Sequence, residues 1–571
     1  MKRSINAIIK MWAAYLLIVL AATACDLTDV NVNPNQPSAK EKYNFDGARL
    51  ANAFRSSVPV MDGDDEQRIK SLIIDFNTQM LDGGGYDMKN YISNEEWNQR
   101  MYRRIQTSVS NLNIAIRNLT GRESEYAKTI AVAKIWRVYV QSNGVDYFGP
   151  IPFAKYSESE DNPPYMSVED TYIEFFRELD DAVELLTKGE YNIFDDAASD
   201  VVYRNDAAKW SKFASSLRLR LAMRLTEADP AKCRQEVAKA LVSDLIDSSA
   251  DNAKVPPRAD GGWGADYNYT MFQVTWSGPL VMSTSFEKLV EGIGGIAWEG
   301  SNVNRRAVYS NKAVEERIDG NFAHPALIDP RATLMFDPPY GKPQAGAAYG
   351  NTWKGLTPGL HSSERGKDEN NRNYYPELGI LFNNGAPYKS RPYDVMLYEE
   401  VCFLKAEAFL RGFAAGDAKE EYEKGVAASF ATWGVSKHSA AYLTSTEKNI
   451  AGTSARFDDL AGAGNTQLEK IITQKYLSFF PDMAMEAWND KRRLNLPRMD
   501  VPASRNELLY DNSDKDIRKS SNFIKRIQYP GNEKQINQAE YEKGVKLLGG
   551  PDVVSTPVWW DKNVNYCTSA E

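Results

Sequence analysis

Apolar and polar positions change rhythm along this chain, and each rhythm predicts a different kind of element. Residues 11–24, from Met11 through Leu16-Leu17-Ile18-Val19-Leu20 to Ala24, form a short apolar run behind Lys2, Arg3 and Lys10. A positive front, an apolar stretch too short to span a bilayer and small closing residues predict a secretory leader over 1–24. Residues 25–43 follow as a polar, proline-punctuated tether containing Asn-Val-Asn-Pro-Asn-Gln-Pro, which reads as an extended spacer. Helical periods then dominate residues 44–247. They are predicted at 44–58, at Gln67 to Leu81, around Trp97, Tyr102 and Ile105, at Ala127 to Ser142 and at Val168 to Leu186. Trp210, Phe213, Leu217 and Leu221 fall at spacings of three, four and four, on one face of a further helix. Arg218, Arg220 and Arg224 take its other sides and read as a solvated or salt-bridged surface. Asp146-Tyr147-Phe148-Gly149-Pro150-Ile151-Pro152-Phe153 reads as a loop pinned by its aromatics.

From 248 to 393 no long helical period persists, and Pro, Gly, Asn and aromatic residues prevail. Irregular segments carried on a rigid scaffold are where binding usually resides. Helical spacing returns over 394–571. Leu397, Val401, Leu404 and Ala408 repeat at four, three and four, and a Gly-rich turn with Asp417 as N-cap opens a second helix towards Trp433. Two helices joined by a short turn resemble one tetratricopeptide-like unit. The reading is a mostly α fold, a tetratricopeptide-like helical scaffold with an irregular, loop-rich ligand-binding face.

Charge and chemistry narrow the function. The net charge is −9 at pH 7. Removing the leader takes away three positive and no acidic residues, leaving −12, which argues against nucleic acid. Four cysteines, at 25, 233, 402 and 567, are too few for a disulfide scaffold, and Cys233 and Cys402 fall in helices as small buried hydrophobes. His324, His361 and His438 lack zinc-site spacing, and the acidic run Asp62 to Glu66 lacks that of a calcium loop, so no metal or cofactor is expected. Gly83-Gly84-Gly85 has no strand-loop-helix with Lys-Ser/Thr to make it a phosphate cradle. No nucleophile elbow is present, and no catalytic residue is assigned.

Small residues Ala22-Thr23-Ala24 directly before Cys25 resemble the bacterial lipobox, with Ala22 where Leu is usual. The resemblance implies that Cys25 is the lipidated (palmitoylated) mature N-terminus, the alternative being an ordinary leader cut after Ala24 that leaves a free thiol. Cys25 with NVNPNQPS, DYFGPIPF at 146–153, KWSKFASSLRLRLAMRL at 209–225 and EEVCFLKAEAFLRG at 399–412 then run in order along the chain. KIITQKYLSFFPDMAMEAWNDKRR at 470–493, RIQYPGNE at 526–533 and TPVWWDK at 556–562 complete the series. Together these stretches resemble the SusD/RagB family of outer-membrane lipoproteins. The resemblance implies a non-enzymatic, surface-exposed nutrient-binding lipoprotein that passes an oligomeric ligand to a SusC-like TonB-dependent transporter. A glycan is the favoured ligand. The alternatives are a peptide ligand on the same architecture, a secreted hydrolase with an unrecognised carboxylate pair, or a lid without a ligand of its own. By position in the family, Tyr86 and Trp97 are candidate ligand contacts from the early region, with Trp263, Tyr267, Trp276, Trp298 and Trp353 from the middle. Trp488, Trp559 and Trp560 are assigned to the core.

Overall fold

Several helices begin where a capping side chain precedes an apolar period. The computed structural model describes residues 41–58, 75, 77–83, 87–153, 163–256, 280–304, 322–341, 347, 349–379 and 391–570. Its principal helices are α1 (Glu41–Ser56), α2 (Glu95–Leu119), α3 (Glu123–Phe148), α4 (Val168–Leu186), α5 (Ala207–Arg224) and α6 (Pro230–Leu241). They continue as α7 (Thr284–Val290), α8 (Tyr398–Leu410), α9 (Ala418–Thr432), α10 (Ser439–Thr444), α11 (Gln467–Ser478), α12 (Ala484–Leu494) and α13 (Gln538–Leu548). Asn94, Ser167, Asp206, Asp229 and Asp417 each accept a first-turn backbone N–H, and Thr466 with Glu469 closes a reciprocal box on α11. None of the described helices is long and apolar enough to cross a membrane.

Neighbouring helices pair as α2/α3, α3/α4, α5/α6 and α8/α9, with α8 also packed on α11 and α5. The predicted hairpin at 394–433 is therefore present as α8/α9. Helix α3 is buried from Tyr126 almost throughout, so it forms the axis of the first part. Phe54, Trp136, Trp210 and Phe213 interlock at ring-centroid distances of 5.1 to 6.3 Å. The indole N–H of Trp136 donates to Ser57 and that of Trp210 to Asp200 Oδ2, both at 2.8 Å, so neither buried donor is left unpaired. As expected, Trp488 and Trp560 are core residues, 1% and 0% exposed, whereas Trp559, also assigned to the core, is only half-buried. Cys233, Cys402 and Cys567 are buried free thiols.

Two expectations change. The aromatic stretch after Ser142 does not begin as a loop: α3 continues through Asp146, Tyr147 and Phe148 and stops only at Gly149, whose φ is 84°. Burial of Tyr147 and Phe148, with Tyr172 Oη and Trp560 Nε1 both donating to Asp146 Oδ1 at 2.8 Å, stabilises that last turn. The arginine face of α5 is salt-bridged but not solvated. Arg218, Arg220 and Arg224 are only 3–5% exposed. Arg220 forms a forked pair with Glu400 of α8 at 2.7 and 2.6 Å, and Arg224 meets Glu486 of α12 at 2.5 Å. Arg493 of α12 closes the circuit on Glu407 of α8 at 2.6 and 2.8 Å. Buried ion pairs gain little over apolar packing, but losing one partner costs about 3–5 kcal/mol, so the circuit fixes which helices meet. The helix expected over 67–81 falls largely outside the described residues, and Leu81 itself is in a strand.

Strands are short, and the largest sheet serves the irregular region. β1 (Leu81–Asp82), β2 (Ile151–Pro152), β3 (Tyr165–Met166), β4 (Ala253–Val255), β5 (Val281–Met282), β6 (Phe336–Asp337), β7 (Glu377–Leu378) and β8 (Tyr393–Met396) are all antiparallel pairs. The order β1-β5-β7-β6, with Leu81 opposite Met282 and Phe336 opposite Leu378, gathers the middle of the chain into one small sheet. This sheet is the floor on which the candidate site stands.

Candidate ligand-binding face

An aromatic column rises from the floor to solvent. At its base Phe286 of α7, Phe336 of β6 and Phe480 pack at centroid distances of 5.2 to 5.4 Å. Trp353 stands edge-on to Phe336 at 6.5 Å and to Trp298 at 5.0 Å. The Trp298 ring then stacks on His324 at 4.8 Å with only 14° between planes, and Phe322 closes one side at 6.0 Å. Exposure rises along the column: Trp353 is buried, Trp298 half-buried and His324 exposed. Water thus meets a stacked imidazole and indole backed by a buried indole.

Backbone pairing sets this geometry. Ile328 donates to Ile296 O at 2.8 Å and Trp298 to Ala326 O at 3.2 Å, so segment 296–298 lies along 326–328. Trp353 donates to Ala323 O at 2.9 Å, and Ala323 to Asn351 O at 3.0 Å, placing Trp353 beside the strand that carries Phe322 and His324. Below, Arg331 Nε and Nη2 grip Asp329 at 3.0 and 2.7 Å, while Nη1 reaches Ser429 of α9 at 2.8 Å and Nη2 also reaches Gln474 of α11 at 2.7 Å. The irregular face is thereby bolted to the helical scaffold. Glu299, next to Trp298, is held by Lys437 Nζ at 2.6 Å and faces His438 Nε2 at 3.3 Å, and the Lys437 bond lowers its pKa.

Glu287 of α7 accepts the Gly355 N–H at 2.7 Å, anchoring the far end of the Trp353 segment. Burial pushes its pKa up to about 7; the Gly355 bond opposes this and Glu291 adds to it. Gly355 lies so close to Ser283 that a Cβ would sit 2.2 Å from its backbone, so only glycine fits there. The Trp353 indole N–H is buried and finds no acceptor among the described residues.

Of the sequence-predicted contacts, the structure brings Trp298 and Trp353 together. Trp97 lies in the first turn of α2, 7% exposed, and among the described residues no ring contact joins it to that pair. Tyr86, Trp263, Tyr267 and Trp276 lie outside the described residues, as do Cys25, the leader and the tether. Sequence reasoning weighed His324 only as a metal ligand and did not single out Phe322. The alternation Phe322-Ala323-His324, two rings on one side of an extended segment, was the available signal. No cluster of three metal-ligating side chains occurs among the described residues.

A helix-paired scaffold presents a partly exposed aromatic stack, the class of surface on which a ligand ring can settle. The particular family follows from the comparisons: the chain belongs to the SusD-like family, the SusD and RagB outer membrane lipoproteins, whose family model matches residues 29–292 and 326–561. The crystal structure of a SusD homolog from Parabacteroides distasonis is 51% identical, covering 92% of this chain and all of that one, with a TM-score of 0.86. A chitin-binding SusD homolog from Flavobacterium johnsoniae is 24% identical over 90% of this chain and 99% of that one, at a TM-score of 0.69. A SusD homolog from Bacteroides vulgatus is 22% identical over 92% and 99%, at 0.71. These two share the fold. No curated protein matches the chain. Membership makes this a lipid-anchored, nutrient-binding lipoprotein of the outer membrane, in a family of binding proteins.

Proposed function

We propose that the protein captures an oligosaccharide at the cell exterior and delivers it to a SusC-like TonB-dependent transporter, held at the membrane by lipid on Cys25. The observation that supports a glycan is the His324–Trp298–Trp353 column, which offers a flat, half-exposed aromatic surface fixed from beneath. Sugar rings carry apolar faces that stack on such surfaces, and aromatic pairs contribute about 0.5–1.5 kcal/mol beyond area burial. The mature chain's net charge of −12 suits a neutral ligand better than an anionic one. Chitin binding in the Flavobacterium johnsoniae homolog, which has the same fold, is in keeping with a sugar polymer as ligand.

The test is calorimetry of the lipid-free body, starting just after Cys25, against paired panels of oligosaccharides and peptides. Saturable glycan binding that weakens about tenfold or more in Trp298→Ala is the expected result. Peptide binding with sugars silent replaces the glycan by a peptide, and product formation by the purified protein overturns the binding-only role. Delivery is checked separately, by co-purification with the transporter from outer membranes.

A further inference from the structure

A second pair of rings stands in the irregular region without belonging to the Trp298 column. Tyr349 and Tyr374 lie 5.7 Å apart with their planes tilted by 37°. Both are solvent-facing, and both hydroxyls donate to one carboxylate: Tyr349 to Asp368 Oδ2 and Tyr374 to Asp368 Oδ1, the latter at 3.3 Å. Beside them Tyr375 Oη donates to Glu369 O at 2.8 Å, and Gly341 N donates to Asn373 O at 2.7 Å, fixing the turn that carries Tyr374. The bond to Asp368 pushes the Tyr349 phenol up to about 12, so it remains a neutral donor.

Half-buried tyrosines at a surface have little reason to be held as a pair. Here hydrogen bonds, not core packing, hold them. A carboxylate offers about four acceptor positions, and the two phenols occupy two of them. No cation pairs with Asp368 among the described residues. The remaining acceptor positions sit beside two aromatic rings, which is the chemistry that recognises a ring with hydroxyls on its edge and C–H on its face.

The spacing to the column is short. Tyr349 precedes Trp353 by four residues, which bounds their Cα separation at about 14 Å. Gly350 and Asn351, with φ of 77° and 55°, turn the chain between them, so Tyr349 stays at the surface while Trp353 turns inward.

We infer that Tyr349, Tyr374 and Asp368 form a second subsite that takes a neutral, hydroxyl-bearing ring of the oligomer whose other end stacks on Trp298 and His324. This inference rests on the proposed glycan role and adds two properties to it. Affinity rises with chain length once an oligomer spans both places, and the Asp368 charge selects against uronates and sulfated sugars.

The experiment titrates wild type, Trp298→Ala, Tyr349→Ala/Tyr374→Ala and Asp368→Asn with graded neutral oligosaccharides, two to eight units of cello-, chito- and malto-series, and with oligogalacturonates. Circular dichroism confirms that the variants fold. The double tyrosine variant is expected to lose about tenfold affinity for the longest bound oligomer and to bind the shortest within about twofold of wild type. Asp368→Asn is expected to narrow the gap between neutral and acidic oligomers. Length-dependent binding that the double variant leaves untouched overturns the second subsite alone, as does equal loss at every length. Wild-type silence throughout the series overturns the subsite as a neutral-ring site; silence to the full glycan panel as well removes the glycan role beneath it.

Discussion

Replacing Arg331 by Met tests whether the irregular face is held to the scaffold by one buried ion. Arg331 is fully buried, grips Asp329 through Nε and Nη2 and bridges to Ser429 and Gln474. Met keeps apolar bulk against Phe430, whose ring lies 4.9 Å from the guanidinium, but removes all four hydrogen bonds. Asp329, itself 0% exposed, is left with the Tyr442 hydroxyl at 2.7 Å and the backbone N–H of residue 331 at 3.0 Å. Orphaning one member of a buried pair costs about 3–5 kcal/mol. In Asp329→Asn/Arg331→Met the stranded charge is gone, so the double variant is expected to recover about 1–3 kcal/mol relative to the sum of the singles. Guanidinium unfolding followed by tryptophan fluorescence measures both, provided the m-value is unchanged. A single variant within about 1 kcal/mol of wild type, or a double variant as costly as the two singles added, would refute the reasoning. Since Ile328 and Asp329 pair with Ile296 and Val290, Arg331→Met is also expected to weaken ligand binding at Trp298.

Other expectations follow from the same contacts. Burial pushes the Glu399 carboxyl up to about 7, with Asp394 adding to the shift and the Thr432 hydroxyl opposing it. The native state therefore keeps a proton that the unfolded chain releases near 4.5; the stabilisation is complete below that pH and is lost as pH rises through 7. Glu399→Gln is expected to flatten the fall in unfolding free energy between about pH 5 and 8, and an unchanged slope contradicts this. Arg492 lies 3.7 Å over Trp488 and 4.7 Å over Trp560 and donates to Asp146 O and Lys525 O. Arg492→Lys keeps the charge but not the planar fork, and about 2–3 kcal/mol of stability should be lost in the same unfolding assay. Gly355→Ala forces a Cβ onto Ser283, so it should lower both melting temperature and ligand affinity, and unaltered calorimetry would contradict the close approach. Cys25→Ser should release the protein from the membrane fraction and abolish palmitate labelling; retention of both contradicts lipidation.

The scaffold was legible because its signals are local. Caps such as Asp417, the three-four spacing of Leu397, Val401 and Leu404, and the loss of period after 248 are written into neighbouring residues. Trp298 and Trp353 could be named as candidates because a loop-rich stretch dense in tryptophan is itself a local signal. What the sequence left open depends on partners far along the chain. Arg220 and Arg224 look like a surface stripe until Glu400 and Glu486 arrive from residues 180 and 262 positions away. Asp146 to Phe148 look like a loop until Tyr172 and Trp560 pay the desolvation of Asp146 and keep the helix wound. His324 gains its place only because antiparallel pairing of 296–298 with 326–328 lays its ring on Trp298. By itself the sequence determined the class of fold, the helical hairpins and the family. Tertiary structure alone decided which charges are buried and which rings meet, since both depend on long-range packing that carries no period along the chain.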